Sequence, residues 1–136
     1  VSGVGVLDAG VILAILDDRH PAHGRVRALV MRRAPRRRLF LSSVNLAEAF
    51  QHGRPITQAS GLDLVTLLEA FDVTVHQPDV AVARVVADLS PLARASLADR
   101  FAAATAVILG GRLHTTDRAL AETVRRAGVK LLLTVY

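Results

Sequence analysis

At 136 residues and 51% hydrophobic content, the chain is sized for one domain (1–136) with a real core, which excludes extensive disorder. The absence of Cys excludes disulfides, thiolate metal sites and Cys nucleophiles, so any metal must be held by oxygen or imidazole ligands. A net charge of +5 and a pI near 11.2 favour an anionic partner, although Lys130 is the sole Lys and the Arg skew also fits a compositional bias of the genome.

Taken in chain order, Val4–Leu7 is the first candidate strand, ending at Asp8 and Gly10. Residues 10–16 have helical apolar spacing, and Pro21 opens a second helical segment in which Val26, Leu29 and Val30 share a face. Leu39, Phe40 and Leu41 form the second strand. Ser43 then caps a helix carrying Glu48, which the Gly53 and Pro55 breakers are expected to end. Residues 57–71 read as one further helix with a stripe of Leu64, Leu67, Leu68 and Phe71.

A short third strand covers 73–75, and Pro78 starts a helix that stops before Pro91. Ser96 caps a long Ala-rich helix ending at Gly110 and Gly111, followed by a strand over Arg112–Thr115. A helix over 117–127 closes at Gly128, and a last strand spans 130–135. Short apolar runs alternating with helical patterns predict an α/β fold of parallel strands joined by helical crossovers. No apolar stretch approaches the roughly 18 residues of a membrane span. The N-terminal residues also lack the basic start and apolar core of a secretion signal, so a soluble, cytoplasmic protein is expected.

Four carboxylates carry the chemistry. Asp8 and Asp117 follow strands one and four, Glu48 lies about one turn into the helix after strand two, and Asp99 opens the helix leading to strand four. In an open parallel sheet these positions share the carboxyl edge, where ligands bind at the topological switch point. Each acid also has a structural reading: an Asx turn for Asp8, a helix cap for Asp117, a capping box with Ser96 for Asp99 and a solvent-facing helix position for Glu48. Several carboxylates side by side are unfavourable unless cations or protons compensate, and an all-oxygen set suits Mg²⁺ or Mn²⁺. Such ions activate water and stabilise a leaving oxygen, the requirements of phosphodiester hydrolysis.

The His residues offer no better centre. His20 and His23, near Asp17 and Asp18, read as a polar loop rather than a surface metal site. His114 lies in strand four near Asp117, though strand alternation points it away from Thr115, and His52 and His76 read as structural or solvent-facing. The densest basic cluster, Arg32, Arg33, Arg36, Arg37 and Arg38 around Pro35, reads first as a solvated helix end and second as a phosphate track.

The segments VLDAGVILAIL around Asp8, SSVNLAEAF around Glu48, SLADRFAAATAVILGG around Asp99 and LHTTDRAL around Asp117 resemble the PIN-domain nucleases, and among them the VapC-type toxins of toxin–antitoxin pairs. The resemblance covers essentially the whole chain in the family's order. It implies a three-layer α/β/α PIN-like fold with a central, mostly parallel sheet of about five strands. It also implies Mg²⁺- or Mn²⁺-dependent RNA cleavage by Asp8, Glu48, Asp99 and Asp117. Asn45 and Thr115 match polar positions bordering the family's site, and with Arg36, Arg37 and Arg38 they form the expected substrate-contacting set. The implied partners are an RNA substrate, a VapB-type antitoxin gripped by exposed parts of 57–71, and a second copy in a homodimer.

Two departures stand out. Gly10 replaces a Ser or Thr usual in the family, which removes a hydroxyl able to bind metal-bound water or phosphate. Ala119 and Leu120 follow Asp117 where some relatives carry another acid. A catalytically weak or silent PIN-like module that binds RNA or protein is therefore the alternative function. A receiver-like phosphoryl acceptor ranks lower, because no acceptor Asp follows the third strand.

Overall fold

The computed structural model describes residues 3–32, 36–89, 92 and 94–136. Strand β1 (Val4–Leu7) leads through α1 (Ala9–Leu16) and α2 (His23–Met31) to β2 (Arg38–Ser42). Next come α3 (Ser43–Ser60), α4 (Leu64–Ala70) and β3 (Val73–His76), then α5 (Val80–Asp88), α6 (Leu97–Leu109) and β4 (Arg112–Thr115). Helix α7 (Arg118–Arg126) and β5 (Leu133–Val135) complete the order. The five strands pair entirely in parallel, in the order β3-β2-β1-β4-β5.

Both faces of this sheet are covered, which is why its strands are apolar at successive positions rather than at alternate ones. Leu7, Leu39, Leu41 and Val73 point to one core with α1, α2, α3 and α4. Val6, Phe40, Leu113 and Leu133 point to the other with α5, α6 and α7. The α/β/α layering expected of the chain is thus present. Among the described residues no helix is long and apolar enough to cross a membrane.

Several boundaries differ from the sequence expectation. Helix α3 runs through Gly53 and Pro55 and stops at Gly61, which is left-handed at φ 71°. Gly53 continues the helix because it is a contact glycine: a Cβ there would lie 2.9 Å from Leu16 Cδ1, so its absence lets α3 approach α1. Pro55 lies on an exposed face of the same helix. The single helix expected over 57–71 is therefore two, with Asp63 capping α4 through Val65 N–H at 3.3 Å. The cap of α3 is Ser42 rather than Ser43, and Asp79 rather than Pro78 starts α5 by accepting from Val82 N–H at 3.0 Å. The last strand is confined to Leu133–Val135. Pro91, the expected stop for α5, and Arg33 and Pro35 of the basic cluster lie outside the described residues.

Candidate active site

The strand order sets the switch point between β1 and β4: the chain leaves β1 along one face through α1 and reaches β4 from the other through α6. Pairing continues just past β1, where Asp8 N–H donates to the His114 carbonyl at 3.1 Å. Asp8 is 4% exposed and caps α1, its Oδ1 accepting from Val11 N–H at 2.9 Å. Asp117 caps α7 in the same way, accepting from Leu120 N–H at 3.0 Å, while its own N–H donates to Thr115 Oγ1 at 2.9 Å. Asp99 stands in the first turn of α6, with its N–H donating to Ser96 Oγ at 3.1 Å. The capping roles weighed for Asp99 and Asp117 are realised, while Asp8, weighed as an Asx turn, is instead the N-cap of α1.

Capping does not exhaust them, because the four acids also act on one another. Burial pushes the Asp8 carboxyl up to about 6; the Thr115 hydroxyl and Val11 N–H oppose this, and the charges of Asp99 and Asp117 add to it. Asp99 is raised by its own partial burial, opposed by Ser96, and raised further by Asp117 and Glu48. No cation relieves this set: the one ion pair among the described residues joins Arg126 and Glu122 on the exposed face of α7.

Glu48 is brought to the others by Asn45. The Asn45 side chain has no exposed surface, and its Nδ2 donates to Glu48 Oε1 and to the Ala98 carbonyl, each at 3.1 Å. One amide therefore ties α3 to the start of α6 and fixes Glu48 beside Asp99. Its Oδ1 is buried without a partner. Thr115 is likewise fully buried and acts on Asp8 and Asp117. Both residues lie at the acidic centre, underneath it rather than on its open surface.

The arginines are elsewhere. Arg38 pairs with Val4 at the amino end of the sheet and lies over the Phe40 ring, 5.7 Å from its centroid. Arg36 is exposed, and Arg37 folds back to donate to the Leu29 and Arg32 carbonyls. All three occupy the edge opposite the acids. The loop histidines have structural tasks: His20 Nδ1 accepts from Ala22 N–H at 3.0 Å, and His23 Nδ1 bonds the Ala14 carbonyl at 2.8 Å. His114 points away from Thr115, as alternation requires, and its Nδ1 bonds Tyr136 Oη at 2.9 Å.

Thr116 is the residue sequence reading missed. A Cβ built on Gly10 would collide with Thr116 Oγ1 and stand 3.4 Å from Asp8 Oδ1. The space a side chain at position 10 would take, next to the buried acid, therefore holds the Thr116 hydroxyl instead. The TTD run contains the signal, but only the close approach of α1 to the segment after β4 shows its meaning.

The PIN domain family model matches residues 5–126. No curated protein matches the chain. Among solved structures, VapC20 of Mycobacterium tuberculosis, described as a sarcin-ricin loop cleaving toxin, is 16% identical with a TM-score of 0.66, over 87% of this chain and 93% of that one. VapBC-1 of nontypeable Haemophilus influenzae is 17% identical, with 97% of each chain covered and a TM-score of 0.68. FitAcB of Neisseria gonorrhoeae is 20% identical over 95% of each, with a TM-score of 0.64. At these identities the likeness is one of fold, and it agrees with the family match: by the pattern of residues 5–126, this chain belongs to the PIN-domain family.

Proposed function

We propose that the chain is a metal-dependent endoribonuclease, the toxin of a VapBC-like toxin–antitoxin pair, acting through Asp8, Glu48, Asp99 and Asp117. The observation that carries this reading is a set of carboxylates at the switch point that raise one another's proton affinity, with no ion pair to any of them among the described residues. An all-oxygen donor set of this charge fits a hard divalent ion. Among the described residues no group of three or more acidic or imidazole side chains is placed to hold a metal ion; an ion at this edge would be bound through one or two carboxylates, with waters completing its shell. When bound, Mg²⁺ or Mn²⁺ supplies polarisation of a phosphate oxygen and an activated water.

The chain's own residues do the rest. Asp8 and Asp99, coupled to Asp117, provide the negative field that holds the cation, and Asn45 keeps Glu48 turned toward that centre. Thr115 steadies Asp8 and Asp117, and the Thr116 hydroxyl stands in the space beside Asp8. The basic edge with Arg36, Arg37 and Arg38 is available for RNA that extends beyond the cleavage point. Single-stranded or looped RNA is the fitting substrate, because its phosphates reach a half-buried acidic edge more readily than those of a regular duplex.

An antitoxin of the VapB type is the proposed partner, with Leu62 and Val65, between the end of α3 and the start of α4, as exposed apolar contacts. A homodimer and a cytoplasmic location belong to the same reading. The test is RNA cleavage with Mg²⁺ or Mn²⁺ by the wild type, Asp8→Asn and Asp99→Asn. Each substitution is expected to lower the rate beyond the roughly 10–100-fold typical of residues behind a metal's own ligands. Metal-dependent cleavage that survives both substitutions would overturn the site. RNA binding without any turnover would instead identify a silent module.

A further inference from the structure

A recess lies away from the acids. A cleft of about 330 Å³ opens between the last turn of α2, Arg37 and the sheet face formed by β1, β4 and β5, with Leu29, Arg32, Arg112, His114 and Tyr136 in its walls. Arg37 uses only Nη2 in bonding the Leu29 and Arg32 carbonyls, and Arg112 uses only Nη1 in bonding Leu133 O and Thr134 Oγ1, both at 3.3 Å. A guanidinium carries five N–H donors, so each retains donors for a ligand.

The charged side chains that line this cleft, Arg32, Arg37 and Arg112, are all cationic. Burial lowers the His114 imidazole to about 4, helped by Arg112 and Arg37, so it is neutral at physiological pH. The Tyr136 phenol, raised by burial, feels Arg37, Arg112 and Arg25 in the opposite sense. No acid pairs with any of these arginines among the described residues. Cations gathered without a counter-charge repel one another, and an anion seated between them reverses that cost. Guanidinium forks match phosphate oxygens in geometry as well as charge. The ring of Tyr136, half-buried beside them, adds a wall suited to a phosphate that carries a base, which favours nucleic-acid chemistry over an acidic peptide.

We propose that this cleft binds the phosphate of a nucleotide-class ligand, either a free nucleotide or one unit of an RNA strand. The site needs neither the acids nor a metal; its strand arm rests on the nuclease reading, since Arg37 belongs to the basic edge assigned there to RNA, and its free-nucleotide arm does not. The test uses the full chain carrying Asp99→Asn, in a chelator, titrated calorimetrically with adenosine monophosphate and separately with a single-stranded RNA hexamer. Saturable one-site binding is expected for at least one of the two. Arg112→Gln and Arg32→Gln should each weaken it about tenfold, the worth of one charged hydrogen bond, with the folded circular dichroism spectrum retained. Binding of the mononucleotide assigns a free nucleotide; binding of the hexamer alone assigns a strand, and its salt slope should then fall by about 0.7 in each Arg variant. Three results would overturn the proposal: no binding of either ligand at millimolar concentration, full affinity in both Arg variants, or hexaglutamate binding as tightly as RNA.

Discussion

A single missing Cβ decides which hydroxyl stands beside Asp8. With Gly10 in place, Thr116 Oγ1 occupies the gap, so Gly10→Ala should force the two apart and destabilise the fold by about 1–3 kcal/mol, the usual range for overpacking. Adding Thr116→Ala removes the colliding atom, and urea denaturation should show the double variant recovering most of the loss. Failure to recover would mean that α1 itself, rather than the Thr116 hydroxyl, rejects the side chain. The same residues bear on Asp8 through pH. Its carboxyl titrates at about 6 in the folded chain against 3.8 in its ordinary state, so between those values the folded protein keeps a proton that the unfolded chain has released. Stability of the metal-free protein is therefore full below the lower value and declines as pH rises to the upper one, by about 3 kcal/mol. Asp8→Asn cannot ionise and escapes that decline. Thermal melts should find it more stable than wild type at about pH 7.5 and nearly level at about pH 4.

Among the elements, α3 shows best how packing overrules a local signal. Gly53 reads as a stop in isolation, yet it is the point where α3 rests on Leu16 of α1. Pro55, two residues on, removes one backbone donor from a helix that nonetheless continues to Ser60. Since Pro costs up to about 3 kcal/mol in a helix interior and this position is exposed, Pro55→Ala should stabilise the chain by about 1–3 kcal/mol, read from the denaturation midpoint. A neutral or negative change would show that Pro55 makes a contact the helix depends on. Elsewhere the sequence signals were sufficient. Helix α6 begins at Ser96 and ends at left-handed Gly110 as its caps require, and β1 and β4 coincide with their apolar runs. The acids at those ends were legible for the same reason: a residue just past a strand is located by the strand.

At the scale of the whole molecule, the two ends of one sheet differ in character. Asp8, Glu48, Asp99 and Asp117 gather at the carboxyl end of β1 and β4, while Arg37, Arg38 and Arg112 lie at the amino end. Alternating strands and helices made the parallel sheet readable, and with it the shared edge of Asp8, Glu48, Asp99 and Asp117. Register was not readable, because nothing local states that Arg38 sits opposite Val4 or that Arg112 sits opposite Gly5. The partnership of Asn45 with Ala98 was hidden too, since it joins residues 53 apart.

The strand order also has a bearing on time. Translation delivers β1 before its second neighbour in the sheet, β4, and both His114, which pairs with Asp8, and Asp117 come long after it in the chain. Until residues 112–117 have left the ribosome, one flank of β1 is bare and the acidic centre lacks a wall. An interrupted chain that stops short of β4 therefore lacks both the second partner of β1 and Asp117, and the acidic edge is complete only once β4 has paired.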